Sequence, residues 1–196
     1  MSNLTEKAII QTFTDLLSKK PLEKITVTDI TSVCGINRNT FYYHYHDIYD
    51  LLDKILLAEE EKIKKLAKQD LSTWKMAVLE ATKFAREHKE AVYNIYNSRS
   101  RDKFANYLKD SLYITMSQFT EMQAEGLDVD QGTKHNIAVF CTSAIQGLTL
   151  NWLQDGMDDD PEDFIDEMGY LLGGTTRLAL ERADKQNKNK KMGGNR

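Results

Sequence analysis

Residues 25–47 read Ile25-Thr26-Val27-Thr28-Asp29-Ile30-Thr31-Ser32-Val33-Cys34-Gly35-Ile36-Asn37-Arg38-Asn39-Thr40-Phe41-Tyr42-Tyr43-His44-Tyr45-His46-Asp47, an order that spells two short helices with a tight turn between them. Thr26 followed three residues later by Asp29 forms a capping-box start, in which hydroxyl and carboxylate each take a free amide at a helix N-terminus. The helix so opened runs from Val27 to Cys34, with Ile30 and Val33 expected inside. It stops at Gly35, the residue best suited to a left-handed C-terminal position. Asn37 caps a second short helix through about Tyr43, with Phe41 and Tyr45 expected in the core. Two such helices with a polar outer face on the second follow the helix-turn-helix plan, in which the second helix enters a major groove about 12 Å wide.

Working outward, Ile9, Phe13, Leu16 and Leu17 recur at helical spacing from about Thr5, and Pro21 closes that first helix. Asp47 opens a longer helix with Leu51, Leu52, Ile55, Leu56, Ile63 and Leu66 on one side. Beyond Lys68 the pattern stays helical: a segment capped by Ser72 and ending near His88, a short one through Val92, Ile95 and Tyr96, and a longer one from Asp102 to Ala124. After a break at Gly126, an apolar helix is expected from about Asp130 to Gln154, with Ile137, Phe140, Cys141, Ala144, Ile145, Leu148 and Trp152 on its main face. Gly156 ends it. Asp160-Pro161-Glu162-Asp163 supplies a cap, a proline at the first helical position and acids in the first turn, so a last helix starts there.

An all-α chain follows, with an N-terminal three-helix helix-turn-helix domain joined by a long helix to a C-terminal helical ligand-binding and dimerisation domain. The expected boundaries are 1–50, 51–183, and a basic tail 184–196 whose Lys/Asn/Gly composition predicts disorder. The 196 residues bury a core without disulfides or metals, and Cys34 and Cys141 lack metal-ligand spacing and read as small core residues. Apolar runs fall far short of the roughly 20 residues of a membrane span, and no signal-peptide core opens the chain, so a cytoplasmic location is expected. The net charge is −4, and residues 1–57 hold six Lys/Arg against seven Asp/Glu, so charge by itself does not argue for nucleic acid.

The run from Ile25 to Asp47, with its Thr40-Phe41-Tyr42-Tyr43-His44 core and following aromatic Tyr45, resembles the TetR/AcrR family of transcription regulators. Gln146-Gly147-Leu148 through Trp152-Leu153-Gln154-Asp155-Gly156-Met157, followed by Pro161-Glu162-Asp163-Phe164, looks like the ending of a TetR-type subgroup that includes the dihydroxyacetone-kinase operon regulators. The resemblance implies a homodimer on a palindromic double-stranded DNA operator, controlled by a small-molecule effector, and a repressor rather than an activator. It implies DNA contacts at Thr28, Arg38, Asn39, Thr40, Tyr42, Tyr43 and His44. Arg38 has the forked donor geometry for a guanine edge, whereas the hydroxyls of Thr28, Tyr42 and Tyr43 suit phosphates. The last two helices are expected to pair with their symmetry mates. One departure stands out: the lysine common in the family just before the fourth helix is replaced by Asp47-Ile48, and Lys54 lies two turns further on.

Phe84, His88, Tyr96, Phe104, Tyr107, Asn136 and Phe140 are the candidate effector-binding residues, because small-molecule cavities are mostly apolar with a few polar groups. No metal or other cofactor is expected: His44 and His46 diverge on a short helix, and Asp158-Asp159-Asp160 reads as helix capping rather than a calcium loop. Gly173-Gly174 fits close helix approach at a dimer seam and equally a kink in the last helix. Catalysis is not expected, since no nucleophile elbow, P-loop, zinc-protease or dinucleotide motif is present. The competing class is a ligand-binding coregulator of the same shape that reaches DNA only through a partner protein.

Overall fold

The structure, a computed structural model, describes residues 2–67 and 74–193. Among the described residues the elements are helical throughout, with no strand: α1 (Ser2–Leu17), a 3-10 turn (Leu22–Lys24), α2 (Val27–Cys34), α3 (Arg38–His44), α4 (Ile48–Ala67), α5 (Trp74–Glu87), α6 (Lys89–Tyr96), α7 (Arg101–Gln123), α8 (Gln131–Gln154) and α9 (Pro161–Gly193). None of these helices is long and apolar enough to cross a membrane. The proposed Ser72 cap lies outside the described residues.

The chain divides into two compact units, the first comprising Met1–Lys62 with Phe84–Tyr107 and the second Ile63–Lys83 with Leu108–Arg196. The first unit therefore reaches beyond the boundary expected at residue 50, for reasons visible in its packing. Ala91 of α6 is buried in the same cluster as Ile9, Phe13, Ile30, Phe41, Leu51 and Leu52, with Ile95 packed against it. Asn94 Nδ2 donates to the Leu17 carbonyl at 2.7 Å, which satisfies an orphan acceptor at the end of α1. Arg99 lies over the Tyr49 ring at 3.8 Å, and its backbone N–H donates to Glu23. Lys103 pairs with Asp53.

The core of the second unit gathers Val78, Met116, Phe119, Cys141, Ile145, Ile165, Met168 and Leu172 from α5, α7, α8 and α9. A smaller cluster of Ala124, Val129 and Leu180 closes the α7–α8 turn. Asp130 caps α8 by accepting from the Thr133 N–H at 2.9 Å, and Asp160 caps α9 by accepting from Glu162 N–H at 2.8 Å. Gly126 and Gly156 adopt left-handed φ values of 78° and 98°, which end the preceding helices at little steric cost.

Two expectations need correction. Residues 184–193 of the expected tail are not disordered, for α9 continues to Gly193, and residues 194–196 lie outside the described residues. Asp184, which is buried, accepts the Asp128 N–H at 2.9 Å and pairs with Lys188 at 2.6 Å, while Asn187 donates to the Asp128 carbonyl at 3.0 Å. Composition alone is blind to those anchors 56 and 59 residues away. Val33 is 69% exposed rather than buried. The buried side of α2 is set by Val27, Ile30, Thr31 and Cys34, at steps of three, one and three residues, and Val33 falls outside that stripe. Phe140 and Leu148 of α8, and Leu171 and Leu178 of α9, are exposed at 63%, 41%, 54% and 48%. Within one chain those side chains are only partly covered.

Candidate nucleic-acid interface

The geometry of α2 and α3 is fixed at each helix end by side chains. Thr26 Oγ1 accepts from the Asp29 N–H at 3.2 Å, and Asp29 accepts from the Thr26 N–H at 2.8 Å, completing the reciprocal capping box. Asp29 also accepts from Lys20 Nζ at 2.7 Å, and this bond, followed by those from Thr26, lowers its carboxyl pKa to about 2. Gly35 sits at φ 64°, and the N–H of Ile36 returns to the Thr31 carbonyl at 3.1 Å, so the turn closes on itself. Asn37 Oδ1 then takes both the N–H and the hydroxyl of Thr40, at 2.8 and 3.0 Å.

Beneath α3 the packing is aromatic. Phe41 is fully buried and Tyr45 nearly so, their rings 5.6 Å apart. The Tyr45 hydroxyl donates to Glu6 at 3.4 Å, and burial, with Glu6 second, pushes its pKa up to about 12. Above α3 the surface is polar and open: Arg38 and Asn39 are exposed, and Tyr42 and Tyr43 are 51% and 82% exposed. Thr28 of α2 lies on the same surface, because its hydroxyl oxygen accepts from Arg38 Nη2. Thr40 and His44 are half-buried, Thr40 in the cap just described and His44 edge-on to the Tyr43 ring at 5.1 Å.

The structure thus brings the seven predicted contact residues onto two adjoining helices, with five of them exposed. Sequence reading missed how Lys54 is used. Its ammonium donates to the His44 carbonyl at 2.8 Å, pairs with Asp50 at 3.2 Å and lies 5.1 Å from the Tyr45 ring centre. It therefore closes the C-terminal end of α3, where a cation meets the negative end of the helix dipole. Asp50 is held in turn by the His46 N–H at 2.8 Å, the main cause of its lowered pKa. The family's lysine position is taken by Ile48, which is buried in the core. The ten-residue separation of His44 and Lys54 gave no sequence signal for this contact.

The candidate effector residues are distributed over both units. Phe84 and His88 stack at 4.3 Å, and Phe104 and Tyr107 lie 6.4 Å apart. Tyr96 is buried, and its hydroxyl accepts from Arg101 at 2.5 Å. These five belong to the first unit. Asn136 and Phe140 line an open groove of about 280 Å³ between α8 and α9, with Cys141, Leu172, Thr176 and Ala179. Among the described residues no group of three or more His, Cys, Asp or Glu side chains is placed to hold a metal ion.

Residues 72–174, more than half of the chain, match the family model described as the C-terminal region of TetR-type transcriptional regulators. The chain belongs to the TetR family of transcriptional regulators. It is thus a regulator of transcription and not an enzyme. Solved structures agree in fold. The dihydroxyacetone kinase operon activator DhaS is 19% identical over 89% of this chain and 97% of its own, with a TM-score of 0.73. The fatty acid degradation regulator FadR from Bacillus halodurans is 15% identical over 87% and 95%, with a TM-score of 0.64. NalD, the secondary repressor of the MexAB-OprM efflux pump in Pseudomonas aeruginosa, is 16% identical over 87% and 94%, with a TM-score of 0.60. A search of curated proteins finds no match. At such identities the TetR-family likeness is one of architecture, and the chemistry has to be argued from this chain's own side chains.

Proposed function

We propose that this TetR-family regulator binds a palindromic double-stranded DNA operator as a homodimer and releases it in response to a small-molecule effector. The observation that carries the reading is the exposed, rigidly capped face of α3, with Arg38, Asn39, Tyr42 and Tyr43 outward and Thr28 beside them. Arg38 donates to base edges, while the hydroxyls of Thr28, Tyr42 and Tyr43 donate to phosphates. The Arg38 bond to Thr28 uses an acceptor lone pair of that hydroxyl and leaves its O–H free to donate.

Dimerisation is supported by the uncovered apolar side chains of α8 and α9, since a contiguous apolar surface of this kind marks a protein interface. Effector control is supported by the aromatic pairs Phe84–His88 and Phe104–Tyr107 of the first unit. A small, largely apolar or amphipathic ligand at these residues acts by binding the DNA-competent and incompetent states with different affinity. Repression needs only occupancy of the promoter by the dimer, whereas activation needs a further surface for the polymerase. NalD is a repressor and DhaS an activator, so the sign is tested directly.

A mobility-shift titration of the purified protein against the DNA upstream of its own gene, with random DNA as control, tests the reading. The expected result is a sequence-specific complex and higher reporter expression when the gene is deleted. Equal, weak binding to both DNAs would instead mark a coregulator that reaches DNA through another protein.

A further inference from the structure

The two helices of the DNA-reading surface end in different ways. At the end of α2, Gly35 takes a left-handed φ and the Ile36 N–H returns to the Thr31 carbonyl, so that helix closes on its own backbone. The seven residues of α3 run instead into Tyr45 at φ −140° and ψ 140°, an extended conformation that carries the chain away from the helix. A helix that short is marginal by itself, because nucleation costs more than a few hydrogen bonds repay. Its final turn holds Tyr42, Tyr43 and His44, three of the residues proposed to meet DNA.

Closure comes from one turn of α4. Lys54 Nζ donates to the His44 carbonyl at 2.8 Å, Asp50 accepts the His46 N–H at 2.8 Å, and the two side chains pair at 3.2 Å. A single i,i+4 ion pair thus grips the chain on both sides of Tyr45. Tyr45 is itself buried, with its hydroxyl on Glu6 and its ring centre 5.1 Å from the Lys54 ammonium. The His44 ring stands edge-on to the exposed Tyr43 ring at 5.1 Å, so the carbonyl that Lys54 holds belongs to the residue against which Tyr43 leans. An ammonium has three N–H donors, and two of those on Lys54 are directed at partners within the chain. Its charge is offset by Asp50, unlike that of an unpaired lysine that neutralises a phosphate.

We propose that Lys54, paired with Asp50, is a positioning residue for DNA binding: it holds the last turn of α3 in its bound form before DNA arrives and touches no phosphate itself. The proposal rests on the DNA-binding reading above and adds how this chain dispenses with the lysine that Asp47-Ile48 replaces. Without the clamp the last turn frays in the free protein, and the cost of ordering Tyr43 and His44 falls on the complex. Affinity then drops although no charge contact to DNA is lost.

Lys54→Met, which keeps the apolar stem and removes the ammonium, tests this in the full-length protein. Amide hydrogen exchange of the free variant is expected to quicken about fivefold at His44 to His46, the scale of a cation at a helix C-terminus. Titrated against the upstream DNA, the variant is expected to bind about fivefold more weakly, with the slope of log affinity against log salt unchanged. Loss of a phosphate contact would make that slope shallower by about 0.9. A lysine that only stabilises the fold would lower the urea midpoint and leave the affinity of the folded protein as it was. Combined with Tyr43→Phe, Lys54→Met is expected to lose clearly less than the product of the two single losses, because both act through Tyr43. Asp50→Ala opens the other half of the clamp and is expected to move exchange and affinity the same way, which supplies a second variant should Lys54→Met fold poorly. Unchanged exchange, undiminished affinity, a shallower salt slope or losses that multiply in full would each overturn the proposal while specific binding by the wild type leaves the DNA-binding reading standing. A wild type that binds upstream and random DNA alike removes both.

Discussion

The exposed surface of α2–α3 and that of α8–α9 are built on opposite rules. In the first, apolar side chains other than Val33 turn inward, helix ends are closed by Thr26, Asp29, Gly35, Asn37 and Lys54, and α3 presents Arg38, Asn39, Tyr42 and Tyr43 outside. In the second, the caps at Asp130 and Asp160 are equally well formed, yet Phe140, Leu148, Leu171 and Leu178 remain uncovered. Both regions are locally well specified, so the difference lies in what each is shaped to meet. Under the proposed function, the first is finished as a monomer and presents donors to a polyanion, and the second is finished when another apolar surface covers it.

Truncation of an aromatic residue in each region should break that contrast most visibly. Phe41→Ala removes a fully buried ring from the first core and is expected to destabilise the protein by about 3–5 kcal/mol in chemical denaturation. Phe140→Ala removes a ring that is mostly exposed in one chain, so its effect on denaturation at dilute concentration should be small while dimer dissociation strengthens. Equal losses of stability from the two would show that the α8–α9 face is ordinary core.

Within the α3 face, Arg38→Ala is expected to cost about 1–3 kcal/mol on operator DNA and to relax preference at one base pair per half-site. Tyr42→Phe and Tyr43→Phe should weaken binding to all sequences alike. Fluorescence titrations on specific and random duplexes separate the two classes; an Arg38→Ala loss equal on both would reassign it to phosphate. Since the hydroxyls are neutral, the slope of log affinity against log salt should be shallow, each neutralised phosphate contributing about −0.9.

The fold was legible where a local rule decides it. Thr26, Asn37, Asp130 and Asp160 mark helix starts through bonds that span two or three residues, Gly35 marks a helix end through its left-handed φ, and each stands in that role. Eight residues of α2 were too few to fix its rotational phase, so Val33 was placed inside and is outside. The continuation of α9 beyond Asp184 depends on Asp128, and the enlargement of the first unit depends on Asn94, Arg99 and Lys103; those partners are distant in sequence. The same holds at the site. The outward residues of α3 follow from its spacing, whereas the Lys54 bond to His44 and the Arg38 bond to Thr28 appear only once the helices are placed.

Smaller effects sharpen the account of the capped turn. Thr26→Ala removes one half of the capping box and should cost about 0.5–2 kcal/mol in urea denaturation. Asp29 has a carboxyl pKa of about 2 against an ordinary 3.8, held down first by Lys20 and then by Thr26. Its folded pKa is the lower one, so its contribution is complete above about pH 4 and is lost as pH falls toward 2. Exposure of both partners keeps that contribution small. Asp29→Asn should therefore flatten the acid limb of the stability profile between those values; an unchanged limb would assign it to other carboxylates.

The central claim is that one molecule carries a finished DNA-reading face and an unfinished face completed by a second copy. Hydroxyl-radical footprinting of the full-length protein on its upstream DNA tests both at once. The account predicts two protected tracts related by two-fold symmetry, their centres about 34–36 Å apart or a multiple of that, and both weakened together by Arg38→Ala and by Phe140→Ala. A single unpaired tract, or protection that survives Arg38→Ala unchanged, would contradict it.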